Sequence, residues 1–481
     1  MPPFAGSMPL SNGFRRSFQD SAVSSLVTID VGGQLFQTTK QTLTQAGSKS
    51  LFSKLANSSN HSIPFIDRDP DLFSVLLSLL RSGNLPSRAK AFDFQDLIFE
   101  SRFYGVEQML INSQSDPSQF DPFNLEKSIV LPLNGRDSPA SISATRFGSV
   151  HVAHGSKVTS FDWALQRKST VLTQFTAVDS LLALSPKIVA AGATDFSGVQ
   201  ILDVDEGFVR ETLNWENLTR SDSTVLAIGS SDEYMFTSFE SGRRNSSCIM
   251  VYDLKDSFRP VAEIGHYEIF GAELDSAIPA TKLRWVPGHN LLMASGSHSG
   301  PASVSGDIKF WDLRSGTAVW EVKEKLDCFS DVTALDGVGM FKVGMHSGEV
   351  SFADFRALSG PRPGENIWTC LGDARKAGNK KKEGTGCRIE SHGNQVFCSK
   401  GGQIELWSEV FVGSGDNNDT STNKGGAASG RIFRKNGLGR ANDASRDQRI
   451  THMTFGGNKM FVTRRDQPGI EVWKNCVNNK L

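Results

Sequence analysis

Residues 27–43 read VTIDVGGQLFQTTKQTL, an apolar strand that runs into Gly32-Gly33 and leaves through Leu35 and Phe36. Glycine-rich turns after a strand are where phosphate-binding loops occur, so that template is tested first. It fails. A P-loop sets two glycines five positions apart ahead of Lys and Ser or Thr, and a dinucleotide fingerprint needs a third Gly opening a helix. Here the glycines are adjacent, and the following Gln34-Leu35-Phe36-Gln37-Thr38-Thr39 is β-prone. Two strands joined through Gly-Gly read as a hairpin, because Gly adopts positive φ without steric strain. Val27, Ile29, Val31 and Phe36 are its expected buried side.

Working outward, the 481 residues carry 38% hydrophobic and 21% charged side chains, enough for two or more well-filled domains. A net charge of -1 gives no push toward nucleic acid or membrane. Six cysteines are widely spread with no C-x-x-C pair, so neither a disulfide framework nor a zinc module is legible. That usage fits a reducing, cytoplasmic setting. The Ser-, Pro- and Gly-rich start lacks a signal peptide's apolar core, no 18-residue apolar run occurs, and 1–23 read as a disordered tail.

After the hairpin, short helices are expected over 40–46 and 50–55, and a β-prone stretch over 62–66. Asp69 then suits an N-cap, Pro70 the first helical position, and Asp71 the positive helix end. The helix 72–81, LFSVLLSLLR, is apolar on nearly every side and should be buried, with Gly83 ending it. Further helical segments follow at 93–103 and 106–111.

These residues resemble the BTB/POZ fold in its potassium-channel tetramerisation (T1, KCTD) form. Four ordered motifs carry the resemblance: the opening stretch, FIDRDPDLF at 65–73, LLRSGNLP at 79–86 and ESRFYG at 100–105. It implies an α/β interaction domain over 24–112 that self-associates, and an adaptor between a cullin-3 ubiquitin ligase and its target. Channel-type domains often carry a His and Cys zinc site between subunits; here no Cys precedes Cys248, and His61 stands alone. Many family members have an acidic residue near the end of the cullin-facing helix, where this chain offers Lys54 in SLFSKLA. Candidate contacts for cullin or for a second copy are Leu51, Phe52, Lys54, Asp67, Arg68, Asp69, Arg102 and Tyr104. Asp67-Arg68-Asp69 reads equally as a solvated helix start.

From Phe120 onward short alternating strands take over, and one pattern recurs seven times: a turn, an alternating strand, then a large residue often followed by Asp. GDIKFWDLRSG at 306–316 is the fullest copy. Aligned on Trp311, with Asp312 after it, the copies fall at Phe161, Leu202, Tyr252, Trp311, Ala353, Trp407 and Trp473. The gaps of 41, 50, 59, 42, 54 and 66 residues, with the Trp-Asp pair, resemble WD40 propeller blades. The resemblance implies a seven-bladed all-β propeller over 126–481 joined by a linker at 113–125. The large residue should fill the space between blades and the Asp should collect backbone donors in the next turn, so these are packing and turn positions. Because only eight residues follow Trp473, the outer strand of the last blade is predicted from 127–133, KSIVLPL, closing the ring from its other end.

Polar insertions are expected at 373–388, with six basic and two acidic residues, and at 413–449, with seven and four. Lys380-Lys381-Lys382 with Arg375-Lys376 has the composition of a weak nuclear import signal, but Lys-rich exposed loops are common and the loop reading is favoured. No catalytic pattern stands out: His151 and His154, three apart in a strand, point to opposite faces, and no G-x-S-x-G elbow exists. The basic clusters lack the interleaved aromatics of a nucleic-acid surface. The sequence therefore reads as a non-enzymatic interaction protein without a cofactor. It is expected to join itself and cullin-3 through the first domain and an unidentified target protein through the propeller. The rival expectation is a scaffold that clusters propeller-bound signalling or channel proteins without cullin.

Overall fold

The structure is a computed structural model. It describes residues 26–58, 62–115, 120–216, 222–241, 246–268, 278–299, 304–324, 327–358, 367–373, 375, 383–410, 431–438 and 448–475. The tail 1–23, His61, Cys476, Lys376, the Lys380–Lys382 run and most of 413–449 lie outside them. The chain divides into two compact units between Ser113 and Gln114.

In the first unit, β1 (Leu26–Val31) and β2 (Gln34–Thr39) pair antiparallel with Val31 opposite Gln34, and β3 (Phe65–Ile66) adds a parallel edge. The hairpin loop is two residues long, with Gly32 at φ +58° and Gly33 at +89°. Both central residues are left-handed, as a type I′ turn demands. The turn packs against its own chain: a Cβ on Gly32 would lie 2.6 Å from the Arg68 carbonyl oxygen. Gly33 N–H donates to Asp30 Oδ1 at 2.9 Å.

Ser50 caps α2 (Leu51–Asn57), accepting from Ser53 N–H, and Asp69 caps α3 (Pro70–Ser82), accepting from Asp71 and Leu72 N–H; α1 (Lys40–Thr44) packs against both helices. Helix α3 buries seven apolar side chains and stops at Gly83 in the left-handed region, as its all-round apolar sequence requires. Two more helices follow, α4 (Phe94–Tyr104) and α5 (Glu107–Ser115). Phe52, Phe73 and Tyr104 meet at the centre, with Phe52 stacked on Tyr104 at 4.9 Å between centroids.

The second unit holds seven four-stranded antiparallel sheets among the described residues. Blades 1 to 6 span 139–172, 180–213, 223–268, 282–324, 329–370 and 389–438; blade 7 is 450–475 plus β4 (Leu125–Pro132). The innermost strands neighbour one another in a closed ring, blade 7 meeting blade 1. As the sequence predicts, β4 is the outer strand of the last blade, running from Gly469 opposite Pro132 to Asn475 opposite Leu125.

Every repeat position sits on the third strand of its blade and packs against the preceding blade: Phe161 on blade 7, Leu202 on 1, Tyr252 on 2, Trp311 on 3, Ala353 on 4, Trp407 on 5 and Trp473 on 6. At five of them, Phe161, Leu202, Tyr252, Trp311 and Trp473, the pairing with the outer strand slips by a bulge. The bulge turns the large side chain into the gap between blades. The following Asp accepts N–H bonds from the next turn at Asp162, Asp203, Asp253, Asp312 and Asp354.

Candidate functional site

The four motifs of the first unit converge. Gly32 of the hairpin abuts the Arg68 backbone, and the Arg68 Nη1 lies 3.2 Å from Glu100 Oε1 of the ESRFYG stretch. The same guanidinium sits 4.1 Å over the ring of Phe103. From LLRSGNLP, Arg81 Nη2 donates to the Gln37 carbonyl of β2 at 2.9 Å. Burial pushes the Glu100 carboxyl up, opposed by Arg68, and its second oxygen has no hydrogen-bond partner among the described residues. Glu100 escaped the sequence reading because a carboxylate on a helix carries no local sign that it will be buried.

The proposed contact residues separate into two groups. Phe52 and Tyr104 are fully buried, so both are core residues and neither side chain reaches a partner; this corrects their expected role. The helical period explains it, since Phe52 faces inward while Lys54, half a turn on, faces out. Leu51 is half-buried, and Lys54, Asp67, Arg68, Asp69 and Arg102 are exposed. Arg102 is tied to Glu107 at 2.9 Å, and Asp69 is engaged as the α3 cap. A row of the sheet leaves Leu35 and Phe65 exposed on either side of Asp30, and α4 exposes Phe99 and Phe103.

In the second unit all seven blades line a central channel with a cavity of about 330 Å³. One arc is charged. Lys282 of blade 4 reaches Asp331 of blade 5 at 3.0 Å and Glu390 of blade 6 at 2.7 Å, and Arg284 reaches Glu390 at 2.8 Å. Asp331 also accepts from Ile389 N–H at 2.9 Å. The opposite arc carries Ser141, Ser180, Leu181 and Ala227 with a single carboxylate, Asp179, whose Oδ2 accepts from Thr194 N–H at 2.9 Å and from its hydroxyl at 2.7 Å. His452 in the wall is held neutral, burial pushing it down to about 4. The channel thus offers hydroxyls, the paired charges of the charged arc, and Asp179 and Arg388, which bond to Thr194 and the Thr451 carbonyl, to whatever enters it. No part of this cluster is visible in sequence, because its members come from three separate repeats.

His151 and His154 are both buried in blade 1, bonded to Ser160 Oγ and Thr159 Oγ1 at 2.8 Å each, which makes them inter-strand polar residues. No described helix is long and apolar enough to cross a membrane.

Comparison with known proteins agrees with this geometry. Residues 27–114 match the BTB/POZ domain family, and residues 134–434 match a family described as At2g24240-like, C-terminal beta propeller. Both are protein-interaction domains. The propeller match stops short of blade 7 and of β4. Among similar chains, BTB/POZ domain-containing protein At5g41330 of Arabidopsis thaliana is 59% identical over 94% of this chain and 96% of its own. From the same plant, At4g30940 is 26% identical over 93% and 97%, and At2g24240 is 29% identical over 61% and 67%.

Proposed function

Because this chain belongs to the family of BTB/POZ domain proteins with an At2g24240-like C-terminal propeller, we propose that it is a substrate-recognition adaptor of a cullin-3 ubiquitin ligase. The BTB unit joins cullin and further copies of the chain, and the propeller captures the protein to be modified. The observation that carries the reading is the open apolar surface of the first unit. Leu35, Phe65, Phe99 and Phe103 are each more than 40% exposed, apolar side chains that a partner would cover. Association would raise the effective concentration of several propellers toward a multivalent target. Five described cysteines are free thiols, which suits work in the reducing cytoplasm.

A second reading is favoured by one residue. Lys54 is exposed in the last turn of α2, basic where cullin-binding relatives of this fold tend to be acidic. It supports a non-degradative scaffold that clusters propeller-bound proteins. Capture of cullin-3 by the full chain separates the two. Micromolar binding that weakens in Leu51→Ala supports the adaptor. A folded, self-associated chain that captures no cullin, and gains capture on Lys54→Glu, supports the scaffold.

A further inference from the structure

Between blades 3 and 4 lies a second cavity, of about 140 Å³. The strand Val304–Asp312 explains its chemistry. Alternation sends Ile308 and Phe310 into the apolar core shared with blade 5, and sends Asp307, Lys309 and Trp311 toward blade 3. Three polar atoms of residues in the wall are buried and have no hydrogen-bond partner among the described residues: Ser238 Oγ, Asp307 Oδ1 and Trp311 Nε1. Ser238 and Asp307 are only 1% and 8% exposed.

The corresponding blade 7 position shows what is missing. There Trp473 Nε1 donates to Glu471 Oε2 at 3.3 Å, two residues back on the same strand. Two residues before Trp311 stands Lys309, which can only donate. Lys309 Nζ instead holds Asp307 Oδ2 at 3.1 Å and Glu321 Oε1 at 3.4 Å, which leaves Asp307 Oδ1 free. Buried polar groups are nearly always satisfied, so the cavity calls for an occupant. Liquid water takes roughly 30 Å³ per molecule, so the space admits a molecule of several heavy atoms.

The three atoms also limit its chemistry. Asp307 Oδ1 needs a donor, Trp311 Nε1 needs an acceptor, and Ser238 Oγ takes either. A cation would compete with Lys309 for the same carboxylate, and an anion would face Asp307. A hydroxyl donates and accepts without charge, and Ile249 and Ala294 in the wall can meet a carbon skeleton. We propose that this inter-blade cavity binds a small neutral polyol, whose hydroxyls donate to Asp307 and accept from Trp311.

The test uses the full chain with glycerol, sorbitol and glucose as probes, titrated calorimetrically at millimolar concentration and soaked into crystals. The expected result is saturable heat with at least one probe, and density bridging Asp307 and Trp311. Trp311→Phe, which keeps an aromatic ring and removes the N–H, should weaken binding tenfold or more, as should Asp307→Asn. No saturable heat from any of the three, with only water-sized density in the soaked cavity, overturns the proposal. So does binding that persists unchanged in a folded Trp311→Phe chain. If that variant fails to fold, the wild-type soak alone decides between bridging density and water.

Discussion

Lys459 and Lys474 stand directly opposite each other on neighbouring strands of blade 7, and the buried Lys459 amine has no hydrogen-bond partner among the described residues. Like charges so placed repel. Burial, reinforced by Lys474, pushes Lys459 down to about 7, and burial lowers Lys474 as well. An amine whose folded value lies below its unfolded one binds more protons when the chain unfolds. Stability therefore rises with pH between about 7 and the ordinary lysine value, and the penalty is complete below that window.

Lys459→Met should accordingly stabilise the protein, by a few kcal/mol at pH 6, since each tenfold loss of proton affinity on folding costs about 1.4 kcal/mol. The gain should shrink steadily toward pH 10. Urea midpoints at pH 6, 8 and 10 measure it. A gain independent of pH would show that the amine is already neutralised by other means.

The two hairpin glycines should respond differently to alanine. At Gly33 only the positive φ opposes a side chain, since nothing lies within 4 Å, and the loss should be about 1–2 kcal/mol. At Gly32 the new methyl also meets the Arg68 carbonyl, so Gly32→Ala should exceed Gly33→Ala by at least about 1 kcal/mol. Equal losses in denaturant unfolding would contradict the close approach.

Phe52→Ala removes a ring stacked on Tyr104 and tilted against Phe73 and should destabilise the first unit by about 3–5 kcal/mol. Lys54→Glu, on the exposed side of the same helix, should stay within about 0.5 kcal/mol of the parent. Circular dichroism and thermal unfolding of both variants check the assignment of core and surface on α2.

Glu471, only 1% exposed, binds Lys127 of β4 at 2.7 Å and lies 3.0 Å from Arg464 Nε. That second contact is an ion pair with poor hydrogen-bond alignment, because Arg464 directs Nη1 to the Gly402 and Gln448 carbonyls. Glu471→Ala leaves a buried guanidinium without its counter-ion and should lower stability by about 3–5 kcal/mol. Limited proteolysis should then cut within 125–132, while Glu471→Gln, which keeps an acceptor, should cut more slowly.

Much of this architecture is legible in the chain, and the reason is physical. Gly32-Gly33, the Asp69 cap and Gly83 act on their own neighbours, so local chemistry reveals them. Phe161 through Trp473 repeat because each fills the same kind of gap between blades. What could not be read depends on distance. Lys282 and Asp331 are 49 residues apart, and Arg284 and Glu390 are 106 apart, so only the ring brings them together. Phe52 and Lys54 are both plausible on a short amphipathic helix, and only the position of Tyr104 decides which one turns inward.

The pairing of Pro132 with Gly469 also sets a clock for biosynthesis. The two residues are 337 positions apart, since 469 minus 132 is 337. At about 5–20 residues per second, β4 leaves the ribosome roughly 20–70 seconds before its partner strand exists. Throughout that interval Leu125 and Leu131, buried against blade 7 in the finished fold, lie on an unpaired strand and are open to the wrong neighbour. A nascent chain of this design has to be shielded, or kept apart from its sister chains on the same message, until its final strand arrives.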